Sequence, residues 1–258
     1  MLRDLARVAL VATIALASAP VAEAQSRASV DQFIAPGFPQ DLVSAKKADR
    51  IAWLVYERGM RNVYTATGPD FRPVRLTKFL DDNGIVLTDL SISDDGALVA
   101  FVRGSEPNRE GWIANPSSDA RGPDRGIWAA RTDGGGAWRL AEGGSPSLSP
   151  DGHTVVFSRD GQLYRAQTAQ SARVPVGKPG GELIVRAWGK NDNAVWSPDG
   201  AKVAFVSARD NHSLAAVYDL KSRAITYLAP SIDFDLSPTW SPDSKRIAFI
   251  RRPGTPFG

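Results

Sequence analysis

The sequence contains no cysteine, which removes disulfides and thiolate metal sites from consideration. It has only two histidines. His153 follows a turn at a position where parallel segments of the chain carry Ala97, Lys202 or Lys245, and His212 lies in a polar stretch. Neither has the partners of a catalytic triad, and both read as solvated loop residues. No Gly-x-Ser-x-Gly pentapeptide occurs: Gly143-Gly144-Ser145-Pro146-Ser147 fails at its last position. The elbow that exposes the nucleophile of an α/β-hydrolase is therefore missing. Net charge is only +3 and no cluster of lysine and arginine stands out, which argues against nucleic acid as a partner. Asp81-Asp82-Asn83-Gly84 and Asp233-Phe234-Asp235 gather oxygens without the spacing of a calcium loop. They read as solvated turns, and no metal or other cofactor is expected. Beyond the N-terminus nothing has the periodicity of a long amphipathic helix.

A repeat is present instead. NAVWSPDGAKVAFVS (Asn193–Ser207) reads as strand, tight turn, strand. Pro198 pre-sets the second position of a type I turn, Asp199 can accept from neighbouring amides, and Gly200 supplies the left-handed conformation. PSLSPDGHTVVFS (Pro146–Ser158) repeats the pattern around Pro150, Asp151 and Gly152, and PTWSPDSKRIAFIR (Pro238–Arg251) around Pro242 and Asp243. LSISDDGALVAFVR (Leu90–Arg103) keeps Asp95 and Gly96 but has Asp94 in place of proline. An eroded copy, SAKKADRIAWLVY (Ser44–Tyr56), keeps the strand and loses the turn. Measured from Lys47 through the four repeat aspartates, the steps are 48, 56, 48 and 44 residues. One hairpin per unit at this period predicts an all-β fold, a β-propeller of four-stranded antiparallel blades.

Strands are predicted at Ile51–Tyr56, Asn62–Thr67 and Val74–Thr77 in the first unit, and from near Thr88, at Leu98–Arg103, Ile127–Arg131 and Trp138–Leu140 in the second. The third has Thr154–Arg159 and Gln162–Gln167 across an Asp160-Gly161 hairpin, and the fourth Lys202–Ser207, Ala215–Leu220 and Ile225–Leu228. A fifth unit has its first two strands only. About four and a half blades are thus present, an incomplete ring, and the expectation is a chain cut short of its full protein. Faces of adjacent blades bury one another, so Val203–Val206 and Ile247–Ile250 are continuous apolar runs rather than alternating ones.

Residues 1–24 read as a signal peptide, with Arg3 and Arg7 before the apolar stretch Val8–Ala19 and a small-residue cleavage site at Ala22-Glu23-Ala24. The apolar stretch is too short to span a membrane comfortably. An exported, periplasmic or secreted protein follows, without membrane attachment after cleavage. Residues 25–43 read as an entry segment in which Pro36-Gly37 and Pro39 block regular structure, with a short helix beginning at Asp31-Gln32-Phe33. Residues 44–258 are assigned to the propeller.

The long second step reflects an insertion, Gly104–Arg125, rich in Pro, Asn, Ser, Asp and Gly and expected to be an irregular surface loop. It carries Glu106, Arg109 and Glu110, side chains able to hold an amine or a carboxylate by charge-assisted hydrogen bonds. These are the candidate substrate-binding residues. The repeat aspartates are structural, and no catalytic residue is found.

The Ser-Pro-Asp-Gly repeats resemble the WD40-like (PD40) repeats of two groups, the Tol-system propeller and the N-terminal propellers of the prolyl oligopeptidase (S9) family of serine peptidases. Ala35–Thr77, Phe101–Asp119, Asp160–Ala166 and Tyr218–Asp243 are similar to the dipeptidyl and acylaminoacyl peptidases of the S9 family. That resemblance covers nearly all of the chain after residue 24. It implies a propeller that restricts access to, and contributes substrate contacts for, an α/β-hydrolase domain carrying Ser, Asp and His, which would lie beyond Gly258. The chain alone is then expected to be inactive, with peptide substrates reached through the missing domain. The paired glutamates of the dipeptidyl branch have no counterpart here, which departs from strict dipeptidyl specificity. The Tol-like alternative implies a non-enzymatic propeller that binds protein partners.

Overall fold

The computed structural model describes Val30 and residues 37–254. The expected signal peptide and the helix at Asp31–Phe33 lie outside the described residues. Strands β1 (Phe38–Ser44), β2 (Arg50–Glu57), β3 (Met60–Thr67) and β4 (Val74–Arg75) form the first antiparallel sheet, each pairing with the next. The second sheet contains β5 (Leu87–Ile92), β6 (Leu98–Arg103), β7 (Gly126–Arg131) and β8 (Ala137–Glu142), and the third β9 (Gly144–Leu148), β10 (Thr154–Arg159), β11 (Gln162–Gln167) and β12 (Glu182–Val185). The fourth has β13 (Lys190–Trp196), β14 (Lys202–Ala208), β15 (Ser213–Asp219) and β16 (Ile225–Tyr227). A further pair, β17 (Phe234–Trp240) and β18 (Ile247–Arg252), joins it through one parallel bridge, Ser213 to Phe234. This is an incomplete β-propeller of four blades and half of another. The first strands β1, β5, β9, β13 and β17 touch in succession, so they form the inner edge of the arc.

The apolar runs divide by parity. In β6, Val99 and Phe101 pack toward the first blade, whereas Val102 packs toward the third. In β10, Val155 and Phe157 face the second blade and Val156 the fourth. Alternation along each strand thus points side chains at two different neighbours, which is why no polar face is needed. Phe101, Phe157 and Phe205 occupy the same place in successive blades and are wholly buried. Each such ring contributes roughly 1.5–3 kcal/mol by burial.

Each repeat turn closes on its serine. Gly200 N–H donates to Ser197 O at 2.8 Å, with Gly200 at φ 71°. The Ser197 hydroxyl donates to Asp199 at 2.6 Å and accepts from Lys202 N–H, while Asp199 also accepts from Ala201 N–H. The same set recurs with Ser93 and Asp95, Ser149 and Asp151, and Ser241 and Asp243. Accepting the serine hydroxyl bond, and then the amide bond, holds all four carboxyls below the usual Asp range. Where proline is replaced, Asp94 receives Lys46 and Lys47 from the eroded first repeat, each at 3.3 Å.

Two strands lie where none was expected. β1 covers Phe38–Ser44, inside the expected entry segment. Pro39 is tolerated because β1 is a sheet edge, paired with β2 only. β12, four residues long, follows a loop too irregular to announce it. Every inner strand also carries one non-glycine residue at positive φ, namely Asp41, Asp89, Ser145, Asn193 and Ser237, at a break in register with its neighbour.

Candidate functional site

The insertion between β6 and β7 leaves from the end of the propeller that also carries the Arg58-Gly59 and Asp160-Gly161 hairpins and the connections between blades. Its irregular backbone is fixed by short polar side chains. Asn108 Oδ1 accepts from Glu110 N–H and Trp112 N–H, and Asn115 exchanges two hydrogen bonds with Asp119 backbone. At its base, Gly104 N–H donates to Val86 O at 3.0 Å.

The far end of the insertion is anchored by two arginines. Arg139, on β8 and buried, donates from Nε and Nη2 to Asp124 at 3.1 and 2.7 Å, and from Nη1 to Pro175 O and Lys178 O. The bidentate bond ties the insertion to its own blade, and the Nη1 bonds tie both to the loop before β12. Arg125, mostly buried, pairs with Glu106 and approaches Asp89 at 3.8 Å. Asp89 in turn accepts from Ser145 N–H at 3.1 Å. Arg125 therefore connects the insertion to the inner strands β5 and β9.

Of the three candidates named from sequence, the structure brings only Glu106 into a cluster. Arg109 and Glu110 are exposed on the loop and join no ion pair among the described residues. Trp112 stands beside them, 75% exposed. Sequence reasoning passed over Arg103, Asp124, Arg125 and Arg139. Asp124 and Arg125 lie at the insertion's edge, and in the sequence Arg103 reads as the end of one strand and Arg139 as the middle of another. The Asp-Arg repeat in that edge, Asp119 to Arg125, was the available signal.

Within the insertion is a cavity of about 80 Å³ lined by Arg103, Ser105, Ser117, Asp119, Arg121 and Asp124, among others. The Arg103 guanidinium lies 4.8 Å from the Phe79 ring centroid and 5.8 Å from that of Trp128. Burial is the larger influence on Arg103 and pulls its pKa down, against the opposing field of Asp124. Asp119 is held at about 2 by its hydrogen bonds from the Arg121 side chain and backbone.

At the opposite end, a hollow of about 440 Å³ lies between the repeat turns of the second and third blades, with Asp95, Asp151 and His153 on its wall. His153 is exposed there, and His212 meets Asn211 Oδ1 at 2.7 Å. The reading of Asp233–Asp235 as a solvated turn is corrected. Asp235 is wholly buried on β17, where it accepts from Arg251 Nε at 2.7 Å and from Ala215 N–H at 3.0 Å. Asp233 accepts from Ser231 and Gly254 N–H. The Asp235 carboxylate fastens the half blade to the fourth through Ala215, and that of Asp233 ties together the segments before and after the half blade. Among the described residues no three His, Asp or Glu side chains are grouped to hold a metal, and no helix is long and apolar enough to cross a membrane.

No protein-family model and no curated protein matches the chain. Solved structures do. A TolB from Agrobacterium tumefaciens, described as putative, superposes with a TM-score of 0.55 at 18% identity, over 86% of this chain and 73% of that one. TolB from Acinetobacter baumannii gives 0.54 at 19%, over 82% of this chain and 48% of that one. A puromycin-hydrolyzing peptidase of Mycobacterium tuberculosis gives 0.52 at 14%, over 83% of this chain and 35% of that one. The chain thus spans about half of the second protein and about a third of the third. At these identities the likeness is one of fold: the chain carries the TolB-like β-propeller fold that all three proteins share.

Proposed function

We propose that this chain is the propeller portion of an exported S9-type serine peptidase, in which it admits and positions peptides for a hydrolase domain encoded beyond Gly258. The observation that carries this reading is the insertion. It is the longest departure from the repeat among the described residues, and it overlaps Phe101–Asp119, a segment that resembles the peptidases. Its Arg125 fixes it against the inner strands β5 and β9, where a peptide entering along the arc would meet it. Charged and polar groups held on a rigid scaffold suit recognition of peptide termini. The fold likeness to the puromycin-hydrolyzing peptidase supports the same reading.

A second reading is a non-enzymatic TolB-like propeller that binds protein partners in the periplasm. Its support is the fold likeness to the two TolB structures. The two readings differ in the coding sequence that follows. A Gly-x-Ser-x-Gly elbow with Asp and His after it in the same frame is the outcome expected for the peptidase. A stop codon soon after a sixth repeat would overturn it in favour of the TolB-like reading.

A further inference from the structure

One cation on the wall of the insertion cavity is left without a direct partner among the described residues. Asp119 is taken by Arg121, which donates to it from Nε at 3.0 Å and Nη2 at 2.6 Å. Asp124 is taken by both Nε and Nη2 of Arg139. Arg103 has neither an ion pair nor a hydrogen-bond acceptor for its guanidinium among the described residues, and rests on the Phe79 and Trp128 rings. Both acids on the cavity wall are thus engaged by other arginines, and the half-buried Arg103 guanidinium, though it feels the field of Asp124, has no direct partner to offset its desolvation. Two further donors line the cavity, the hydroxyls of half-buried Ser105 and exposed Ser117, and neither meets a protein acceptor among the described residues. The buried indole N–H of Trp128 also lacks a partner.

We propose that this cavity is a carboxylate-binding site, with Arg103 as the charged donor and the Ser105 and Ser117 hydroxyls completing the set. A planar guanidinium matches two carboxylate oxygens, and its contact with the Phe79 and Trp128 rings helps to orient it. The size fits the chemistry. About 80 Å³ is room for a carboxylate with a water or so, since a water takes roughly 30 Å³ of liquid, and is far below the hundreds of Å³ of a pocket that swallows a whole ligand. The ligand therefore inserts an end, either the C-terminal carboxylate of a peptide or an acidic side chain. This assignment stands whether the propeller serves a peptidase or a partner protein.

The test is calorimetric titration of the full chain with three N-acetylated alanine peptides: a free C-terminal acid, its amide, and an amide with a central aspartate. At least one carboxylate peptide binds and the uncharged amide does not; which of the two binds identifies the source of the carboxylate. Arg103→Gln weakens that binding at least tenfold, and Lys221→Gln, at the other end of the propeller, leaves it unchanged. If Arg103→Gln fails to fold, the acid against amide comparison on the unaltered chain, with NMR shifts of the Ser105 and Ser117 amides on adding acetate, carries the test. Equal binding of acid and amide, no binding by any peptide at millimolar concentration, or a folded Arg103→Gln that binds as before overturns the proposal.

Discussion

Arg125 and Gly144 are fitted to one another: a Cβ on Gly144 would fall 1.9 Å from Nη1 of the Arg125 guanidinium. The neighbouring glycine is confined differently. A Cβ on Gly143, whose φ is 141°, would fall 2.5 Å from Ser158 O and 2.7 Å from the Phe157 ring. One obstacle is the tip of a flexible side chain and the other is backbone and core. Gly144→Ala is accordingly expected to displace Arg125 from Glu106 at a cost of no more than about 1 kcal/mol. Gly143→Ala should cost about 2–4 kcal/mol through backbone strain and overpacking. Urea denaturation of the two variants checks the contrast, and equal costs would refute it.

The repeat turns predict how stability depends on pH. Their carboxyls titrate below the ordinary Asp value in the folded chain, so the folded state binds fewer protons than the unfolded chain as pH falls. Their contribution is complete above the unfolded value, near 4, and is lost as pH drops through the lowered folded values. Unfolding free energy measured from pH 6 to pH 2 should fall on that limb. Ser197→Ala removes the hydroxyl that donates to Asp199 and accepts from Lys202 N–H, and Ser197 is wholly buried. It should cost about 1–3 kcal/mol near neutral pH and flatten the acid limb. An unchanged acid limb in this variant would show that the serine does not set the aspartate.

The half blade has its own fastening. Asp235→Ala strips Arg251 and Ala215 N–H of their acceptor at a wholly buried position. A loss of about 2–4 kcal/mol is expected, short of the full cost for a buried pair because Arg251 is about a third exposed. The loss should be local. Amide exchange ought to quicken in β17 and β18 and hold steady in the second and third blades, whereas a uniform rise would assign Asp235 a global role.

The open faces of the arc predict association. Phe38 and Leu42 on β1 and Ile250 on β18 are each more than 60% exposed, on faces that other blades cover elsewhere in the arc. Sedimentation of the purified chain should show concentration-dependent self-association that Ile250→Lys weakens. A monomer at all concentrations would mean these faces are not adhesive.

The strands β6, β10 and β14 could be read from the sequence because they bury both faces and so become unbroken apolar runs, as in Val203–Val206. The turns could be read because Pro, Asp and Gly each meet a backbone requirement. The inner strands resist such reading. Lys190-Asn191-Asp192-Asn193 is polar, since β13 lies at the arc's inner edge and is broken by a bulge at Asn193. The insertion is visible as a change in composition and spacing, but its pairing is not. Nothing local distinguishes Arg125, whose partners Asp89 and Glu106 lie 36 and 19 residues away, from the exposed Arg109. Asp235 looked like a turn residue because its cluster resembles one, whereas the long-range Arg251 pairing that buries it has no local signature.

The central claim, that this propeller serves a serine peptidase, is tested most directly by labelling the product of the intact gene with a fluorophosphonate probe. The account predicts a single labelled serine located after Gly258, with labelling slowed by excess peptide. A well-expressed, exported product that takes up no label would contradict it.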